Sequence, residues 1–195
     1  MKSELKQLLS QRQKRRVVDV SRVPAAVLVP LYFREGEDYL LLTKRTQEVR
    51  EHKGQVSFPG GTYQDEDADL LETALRECTE EIGLVPDVVE ILGELDDTVS
   101  ITSNYVITSF VGLIPWPYRF LVNSGEIERL IEVPVAELRG GACRREVKVT
   151  DGRAVTSYSY HYQGEVIWGA TARILTQLLD ILAGIRPGDE PAGGG

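Results

Sequence analysis

Three glutamates, Glu77, Glu80 and Glu81, are spaced so that an α-helix would carry them on one face. Like charges at this spacing repel each other, and a divalent cation bound between their oxygens would remove that cost. The same stretch predicts the helix itself, because apolar residues recur at helical spacing and Gly83 suits a left-handed end. We therefore expect a helix that presents carboxylates to Mg²⁺ or Mn²⁺. The apolar positions are Leu71, Ala74, Leu75, Cys78 and Ile82.

An acidic run on a helix is usually a solvated face, and the three glutamates alone would not exclude that interpretation. Their neighbours argue against it, since Gly60 and Gly61 precede the helix, Arg76 stands directly before the first acid and Gly83 closes the cluster. This joint pattern resembles the Nudix box, G-x5-E-x7-R-E-U-x-E-E-x-G-U with U apolar, which marks hydrolases of a nucleoside diphosphate linked to another moiety. The second half of the box is filled by Arg76, Glu77, Cys78, Glu80, Glu81, Gly83 and Leu84.

The first half of the box departs from the family pattern. Counting from Gly61, Asp67 holds the position of the first glutamate, and eight residues rather than seven separate it from Arg76. We expect the extra residue in the acidic loop 64–69, where an insertion is tolerated. In the family this acid holds the arginine, so Asp67 is the predicted partner of Arg76, with Glu72, one helical turn before Arg76, as the local alternative.

A second motif lies directly upstream of the box. Residues 41–61 resemble the segment of the coenzyme A pyrophosphatase branch of the Nudix family, roughly L-L-T-x-R-(S/A)-x3-R-x3-G-x3-F-P-G-G, with Thr46 where Ser or Ala is usual. Its loop is basic, and arginine forks match phosphate geometry, so these cations are candidate substrate ligands. The alternative is that they only balance an acidic surface. The candidate substrate-binding residues are Lys44, Arg45, Arg50 and Lys53.

The resemblance implies roles for the acidic cluster. Glu77 and Glu81 are the expected direct metal ligands, Glu80 supports them, the Gly60 carbonyl adds a ligand, and Arg76 orients the cluster. A further acid from a distant loop often completes such sites, as a ligand or general base. Glu126 is the first candidate for it, followed by Glu128 and then Glu94.

The implied reaction is metal-dependent hydrolysis of the pyrophosphate in coenzyme A, and equally in acyl-coenzyme A, to 3′,5′-ADP and 4′-phosphopantetheine. A Nudix hydrolase of another nucleoside diphosphate derivative, such as ADP-ribose or a dinucleotide, is the nearer alternative. A non-catalytic nucleotide-binding module is the more distant one, and the three mutually repelling acids argue against it. The family resemblance leaves open whether the chain forms a homodimer.

Composition limits the other functions. The chain has 195 residues, 42% of them hydrophobic, and a formal net charge of −8, so nucleic acid is not an expected partner. Residues 1–22 carry seven basic residues against two acidic ones and no continuous apolar run, which predicts a basic helical extension rather than a signal peptide or membrane span. Two cysteines form neither a metal spacing nor a disulfide framework, so we expect a cytoplasmic protein.

The remaining pattern predicts an α/β fold, the α/β/α sandwich of the Nudix family with a mixed sheet, over residues 23–186. Residues 187–195 lack apolar side chains to bury and are expected to be disordered. Tyr158, Tyr160 and Tyr162 alternate on one strand, which favours a core face over stacking on a ligand. Strands are expected at 23–33, 39–43, 88–95, 105–114, 147–150, 154–162 and 166–168, with a hairpin turn at Asp151-Gly152 and helices at 135–138 and 170–182.

Overall fold

The computed structural model describes residues 2–48, 53–100, 103–140, 143–150 and 153–184, with the backbone alone at 148–150 and 153–155. Arg50, His52, the Asp151-Gly152 turn and the tail 187–195 lie outside these residues. The elements in chain order are α1 Lys2–Gln11, β1 Val23–Arg34, β2 Glu37–Arg45, β3 Val56–Ser57, β4 Gly60–Thr62, α2 Leu70–Ile82, a 3₁₀ turn Pro86–Val88, β5 Glu90–Glu94, β6 Thr98–Val99, β7 Tyr105–Leu113, β8 Ile127–Pro134, α3 Val135–Arg139, β9 Cys143–Thr150, β10 Arg153–Tyr162, β11 Glu165–Trp168 and α4 Gly169–Ala183.

Strand β1 lies at the centre of a mixed sheet of eight strands. The sheet runs β3-β2-β1-β7-β5, with β4 beside β1, β6 beside β7 and β8 beside β2. Strands β1 and β7 are parallel along nine residue pairs, whereas the other pairs of this sheet are antiparallel. The predicted mixed sheet is therefore confirmed.

Side chains alternate across β1, so the strand contributes to two separate cores. Leu28 and Tyr32 pack on the face covered by α2. Val29 and Leu31 pack on the opposite face, together with residues of α1, α3, α4 and the second sheet, β9-β10-β11. Helices cover both faces of the large sheet, which confirms the predicted α/β class.

The basic N-terminal segment packs against the domain. Leu5 and Leu9 of α1 are buried in the same core as α4. Beyond the helix, Lys14 Nζ lies 2.6 Å from a carboxylate oxygen of Glu94 and 2.9 Å from one of Asp97. This segment thus fastens the β5–β6 edge of the sheet. No helix in the described part of the chain is long and apolar enough to cross a membrane.

Some elements differ from the sequence-based expectation. The strand expected at 88–95 starts only at Glu90, because Pro86 opens a 3₁₀ turn first. Strand β8 was not predicted, because its charged outward positions obscure the buried ones, Ile127, Ile131 and Val133. Short strands β4 and β6 were also missed. The tyrosine prediction is confirmed, since Tyr160 is buried and Tyr158 and Tyr162 pack against the core.

Candidate active site

Helix α2 positions the acidic cluster, and both of its ends are fixed by local signals. The Asp69 side chain accepts a hydrogen bond from the backbone N–H of Glu72 at the start. At the other end Gly83 adopts the left-handed conformation, with φ of 66°. The apolar stripe buries Ala74, Cys78 and Ile82 against the sheet. The glutamates therefore lie at the margin of this buried face.

Gly60 and Gly61 allow the strand before the helix to approach the carboxylates closely. A Cβ on Gly61 would lie 2.4 Å from Cδ of Glu77, and one on Gly60, whose φ is +150°, would lie 2.3 Å from the carbonyl oxygen of Ala26. The backbone N–H of Gly60 donates to Oε2 of Glu81 at 3.2 Å. Only glycine fits at either position without moving the backbone or a carboxylate.

Arg76 is held by the acid that the motif predicts. Its Nε donates to Oδ1 of Asp67 at 2.8 Å and its Nη2 to Oδ2 at 3.1 Å, which confirms Asp67 as the partner. Glu72 instead accepts from the backbone of Ala68. The Arg76 guanidinium, helped by other hydrogen bonds to the carboxylate, holds the pKa of Asp67 well below its usual value. Nη1 of Arg76 then reaches Glu77 at 2.9 Å and so orients it.

Arg45 lies on the other side of the cluster, at the end of β2. Its Nη1 donates to Oε1 of Glu81 at 3.2 Å, and its Nη2 lies 3.7 Å from Oε2 of Glu126. The loop before β8 is tied to both neighbours by its backbone, since Thr46 N–H donates to the Glu126 carbonyl and Asn123 N–H donates to the Glu81 carbonyl. A residue 45 positions beyond Glu81 is thereby brought beside it.

The other two candidates for the distant acid lie elsewhere. Glu128 is 3.4 Å from Lys44, and Glu94 is bound by Lys14 at the N-terminal segment. Lys44 is also drawn away from the cluster, because its Nζ donates to Glu165 at 2.9 Å. The structure therefore brings Arg45 and Glu126 to the site, and it brings neither Lys44 nor the alternative acids. Lys53 lies in an exposed turn.

Burial makes the ionised form of the clustered glutamates less stable. Desolvation raises the pKa of Glu81, which is 3% exposed, to about 7, against a smaller opposing effect of the Gly60 hydrogen bond. The pKa of Glu77 is also raised by burial, and Arg76 lowers it only in part. Two arginines thus face a larger number of acids in this cluster. The acids in contact with Arg45 or Arg76 are Asp67, Glu77, Glu80, Glu81 and Glu126.

The donor set fits a hard divalent cation in chemical type, because all of its side-chain donors are carboxylate oxygens. In the described residues, however, no three Asp, Glu, His or Cys side chains stand close enough together to hold a metal ion as they are. Arg45 and Arg76 occupy carboxylate oxygens instead. Metal binding at this site would therefore require the acids to exchange these contacts for the cation.

A cleft of about 330 Å³ opens beside the carboxylates. Arg45, Glu77 and Glu126 line it together with Gly60 and Gly61. Residues of β11 and the start of α4 also line the cleft, although no sequence motif connects them with the site. No local motif marks these residues, because contacts between distant segments, such as those of Glu165 with Lys44 and Arg129, bring them here. They are Trp168, Gly169, Ala170, Thr171 and Ile174.

Comparison with known proteins decides the family. The model of the NUDIX domain matches residues 22–153, well over half of the chain. The chain belongs to the Nudix hydrolase family. A Nudix hydrolase of Enterobacter sp. strain 638, NudL, described as uncharacterized, is 37% identical over 185 residues, which cover 93% of this chain and 92% of that protein. Its counterpart in Yersinia pestis strain Pestoides F is 39% identical over 155 residues, 79% of this chain and 77% of that protein.

Solved Nudix structures share the fold. A MutT/nudix family protein from Enterococcus faecalis superposes with a TM-score of 0.60 at 14% identity, over 93% of this chain and 69% of that one. The Nudix hydrolase RenU from M. smegmatis superposes with a TM-score of 0.57 at 17% identity, over 87% of this chain and 91% of that one. At these identities the similarity establishes the Nudix fold.

Proposed function

We propose that this Nudix hydrolase cleaves the pyrophosphate linkage of coenzyme A, and of acyl-coenzyme A, to 3′,5′-ADP and 4′-phosphopantetheine. The observation that carries the proposal is the position of Arg45, the first arginine of the coenzyme A motif. It contacts Glu81 of the Nudix box and Glu126 of the distant loop. A cation that only balanced an acidic surface would pair with exposed acids, whereas Arg45 pairs with the buried Glu81.

The roles of the residues follow from the charge of the substrate. Pyrophosphate oxygens repel a nucleophile, and a bound Mg²⁺ or Mn²⁺ would neutralise them and acidify the attacking water. Glu77 and Glu81, with Glu80 and the Gly60 carbonyl, are the groups that would hold the ion. Arg76 keeps Glu77 oriented through its contact at 2.9 Å.

Arg45 and Glu126 act on the substrate side. If the acids exchanged their contacts with Arg45 for a cation, the Arg45 guanidinium would be free to bind a phosphate oxygen, where its planar fork matches the geometry of the anion. Glu126 is the acid that accepts a proton from the attacking water. Arginine binding at the leaving phosphate spreads the negative charge that develops there.

Substrate identity is tested by the products. The purified protein is incubated with coenzyme A, dephospho-coenzyme A, ADP-ribose, NADH and an oxidised nucleotide, each with Mg²⁺ or Mn²⁺ and with EDTA as the control. We expect coenzyme A to be the best substrate and to give equal amounts of 3′,5′-ADP and 4′-phosphopantetheine. ADP-ribose as the better substrate would refute the coenzyme A assignment, and no turnover of any of them would favour a binding module.

We infer a cytoplasmic location, because both cysteines are free thiols and Cys78 is buried within the core. The substrate is a small molecule, and neither a nucleic acid nor a membrane is part of the proposed activity. Recovery of the native protein in a secreted or membrane fraction would contradict this inference.

A further inference from the structure

The charged side chains among the described residues that line the cleft belong to the carboxylate cluster. Among the described residues that line the cleft, only Arg45, Glu77 and Glu126 are charged. The other described residues that line the cleft are uncharged, with hydroxyl groups among apolar and aromatic side chains. The apolar and aromatic lining residues include Val27, Phe58, Tyr105, Ile107, Trp168 and Ile174.

This asymmetry selects between the two halves of the proposed substrate. The adenosine half of coenzyme A carries a 3′-phosphate, and an anion held in the uncharged part would lose its hydration without gaining a cation. The pantetheine half is uncharged, with a gem-dimethyl group close to the pyrophosphate and amides further along. Its alternation of apolar and hydrogen-bonding groups fits a wall of side chains and hydroxyls.

The wall that would meet this half comes from the C-terminal part of the chain. Trp168 lies after the region that matches the family model, lines the cleft, and is 43% exposed. Its strand is fixed to the central sheet, because Glu165 accepts hydrogen bonds from Lys44 at 2.9 Å and from Arg129 at 2.7 Å. The indole is thus an accessible ring on a firmly held strand.

We propose that Trp168 is a specificity-determining residue that packs against the pantetheine arm of coenzyme A. The adenosine half, with its 3′-phosphate, then lies outside the uncharged part of the cleft. This inference rests on the proposed function, which it deepens by assigning one half of the substrate to one wall. The part of the cleft beside Arg45 receives the pyrophosphate.

Binding of the two reaction products tests the assignment without requiring turnover. Isothermal titration calorimetry in Mn²⁺ is performed with 4′-phosphopantetheine and with 3′,5′-ADP, on the parent protein and on Trp168→Ala, Trp168→Phe and Val166→Ala. We expect Trp168→Ala to weaken 4′-phosphopantetheine about tenfold and to leave 3′,5′-ADP within about twofold. Trp168→Phe keeps a ring and should retain most of the affinity. Val166→Ala changes the same strand outside the cleft and should match the parent.

The outcomes separate this inference from the proposed function. Unchanged 4′-phosphopantetheine affinity in Trp168→Ala, or no binding of it to the parent at millimolar concentrations, would overturn the inference even if coenzyme A is hydrolysed. Selective loss of 3′,5′-ADP would overturn it in favour of adenosine in the cleft. Selective loss of 4′-phosphopantetheine in a protein that does not hydrolyse coenzyme A would support the subsite while refuting the proposed function.

Discussion

The two arginines beside the acidic cluster are held in different ways. The Arg76 guanidinium donates hydrogen bonds to Asp67 and to the Thr62 carbonyl. It also donates to Glu77, so it connects a buried carboxylate with the acidic cluster. Arg45 makes looser contacts to Glu81 and Glu126, and its Nε is buried without a hydrogen-bond partner among the described residues. The side of the cluster that contains Arg76 and Asp67 is therefore a rigid framework. The side that contains Arg45 and Glu126 retains a hydrogen-bond donor without a partner among the described residues.

This difference indicates how one cluster of acids can be both stable and reactive. Asp67 is 5% exposed, and its pairing with Arg76 fixes the loop to the helix. Glu126 belongs to a loop before β8 and its side chain is 45% exposed, so it can exchange partners at little cost. We interpret the Arg76 side as the part that orients the metal ligands and the Arg45 side as the part that meets the substrate.

The largest effect is expected from the acids between the two arginines. Glu77→Gln should cut metal-dependent turnover of coenzyme A about a hundredfold or more, the scale of losing a main charge-stabilising element. The fold should survive, because the substitution relieves repulsion within the helix. Steady-state kinetics and the thermal midpoint measure the two effects. Nearly full activity in the variant would remove Glu77 from the metal site.

The distant acid is tested against a matched neighbour. Glu126→Gln should lower kcat about a hundredfold or more with KM near that of the parent, the scale of losing a general base. Glu128→Gln is the control, because Glu128 contacts Lys44 rather than the cluster. Unchanged turnover in Glu126→Gln, or equal losses in both variants, would contradict the role of Glu126.

The second arginine of the coenzyme A motif, Arg50, tests which residue on the substrate side contacts the 3′-phosphate. Arg50 lies outside the described residues, and the coenzyme A motif makes it the candidate for the 3′-phosphate, since Arg45 faces the cluster. A charge-assisted contact is worth about 1.5 to 3 kcal/mol, or roughly ten- to a hundredfold in kcat/KM for coenzyme A over dephospho-coenzyme A. Arg50→Ala should erase this preference, whereas Arg45→Ala should lower both rates together. Equal rates of the parent on both substrates would refute the 3′-phosphate contact.

The burial of Glu81 should make the free energy of unfolding depend on pH. The pKa of Glu81 is raised by desolvation from 4.5 to about 7, so ionising it costs the folded protein stability as pH rises through this window. In EDTA, Glu81→Gln should therefore gain about 3 kcal/mol on the parent between pH 4.5 and pH 8. Urea unfolding at several pH values measures this. A constant difference between the two proteins would show that Glu81 is not strained by burial.

Local signals were enough to predict the framework side. The apolar stripe and Gly83 define α2, and the box spacing identifies Asp67 as the partner of Arg76 despite the additional residue. The substrate side depends on contacts between distant segments. Lys44 and Arg45 are adjacent in sequence, yet Lys44 binds Glu165 and Arg45 binds Glu81. The sequence shows only that the segment is basic and does not distinguish these two partners. Trp168 reaches the cleft because β11 is bound to the central sheet through Glu165, a contact between distant segments that no local pattern could identify.

Replacing each arginine with lysine tests the central claim most directly, because the charge is kept and the planar fork is lost. The thermal midpoint and kcat/KM for coenzyme A are measured for Arg45→Lys and Arg76→Lys in parallel. We predict that Arg45→Lys loses about tenfold or more in kcat/KM with a nearly unchanged midpoint. We predict that Arg76→Lys loses about 2 kcal/mol of stability, a fall of roughly 4 to 8 °C. An unstable Arg45→Lys with normal kcat/KM, or an equally stable Arg76→Lys, would contradict the assignment of framework and substrate sides.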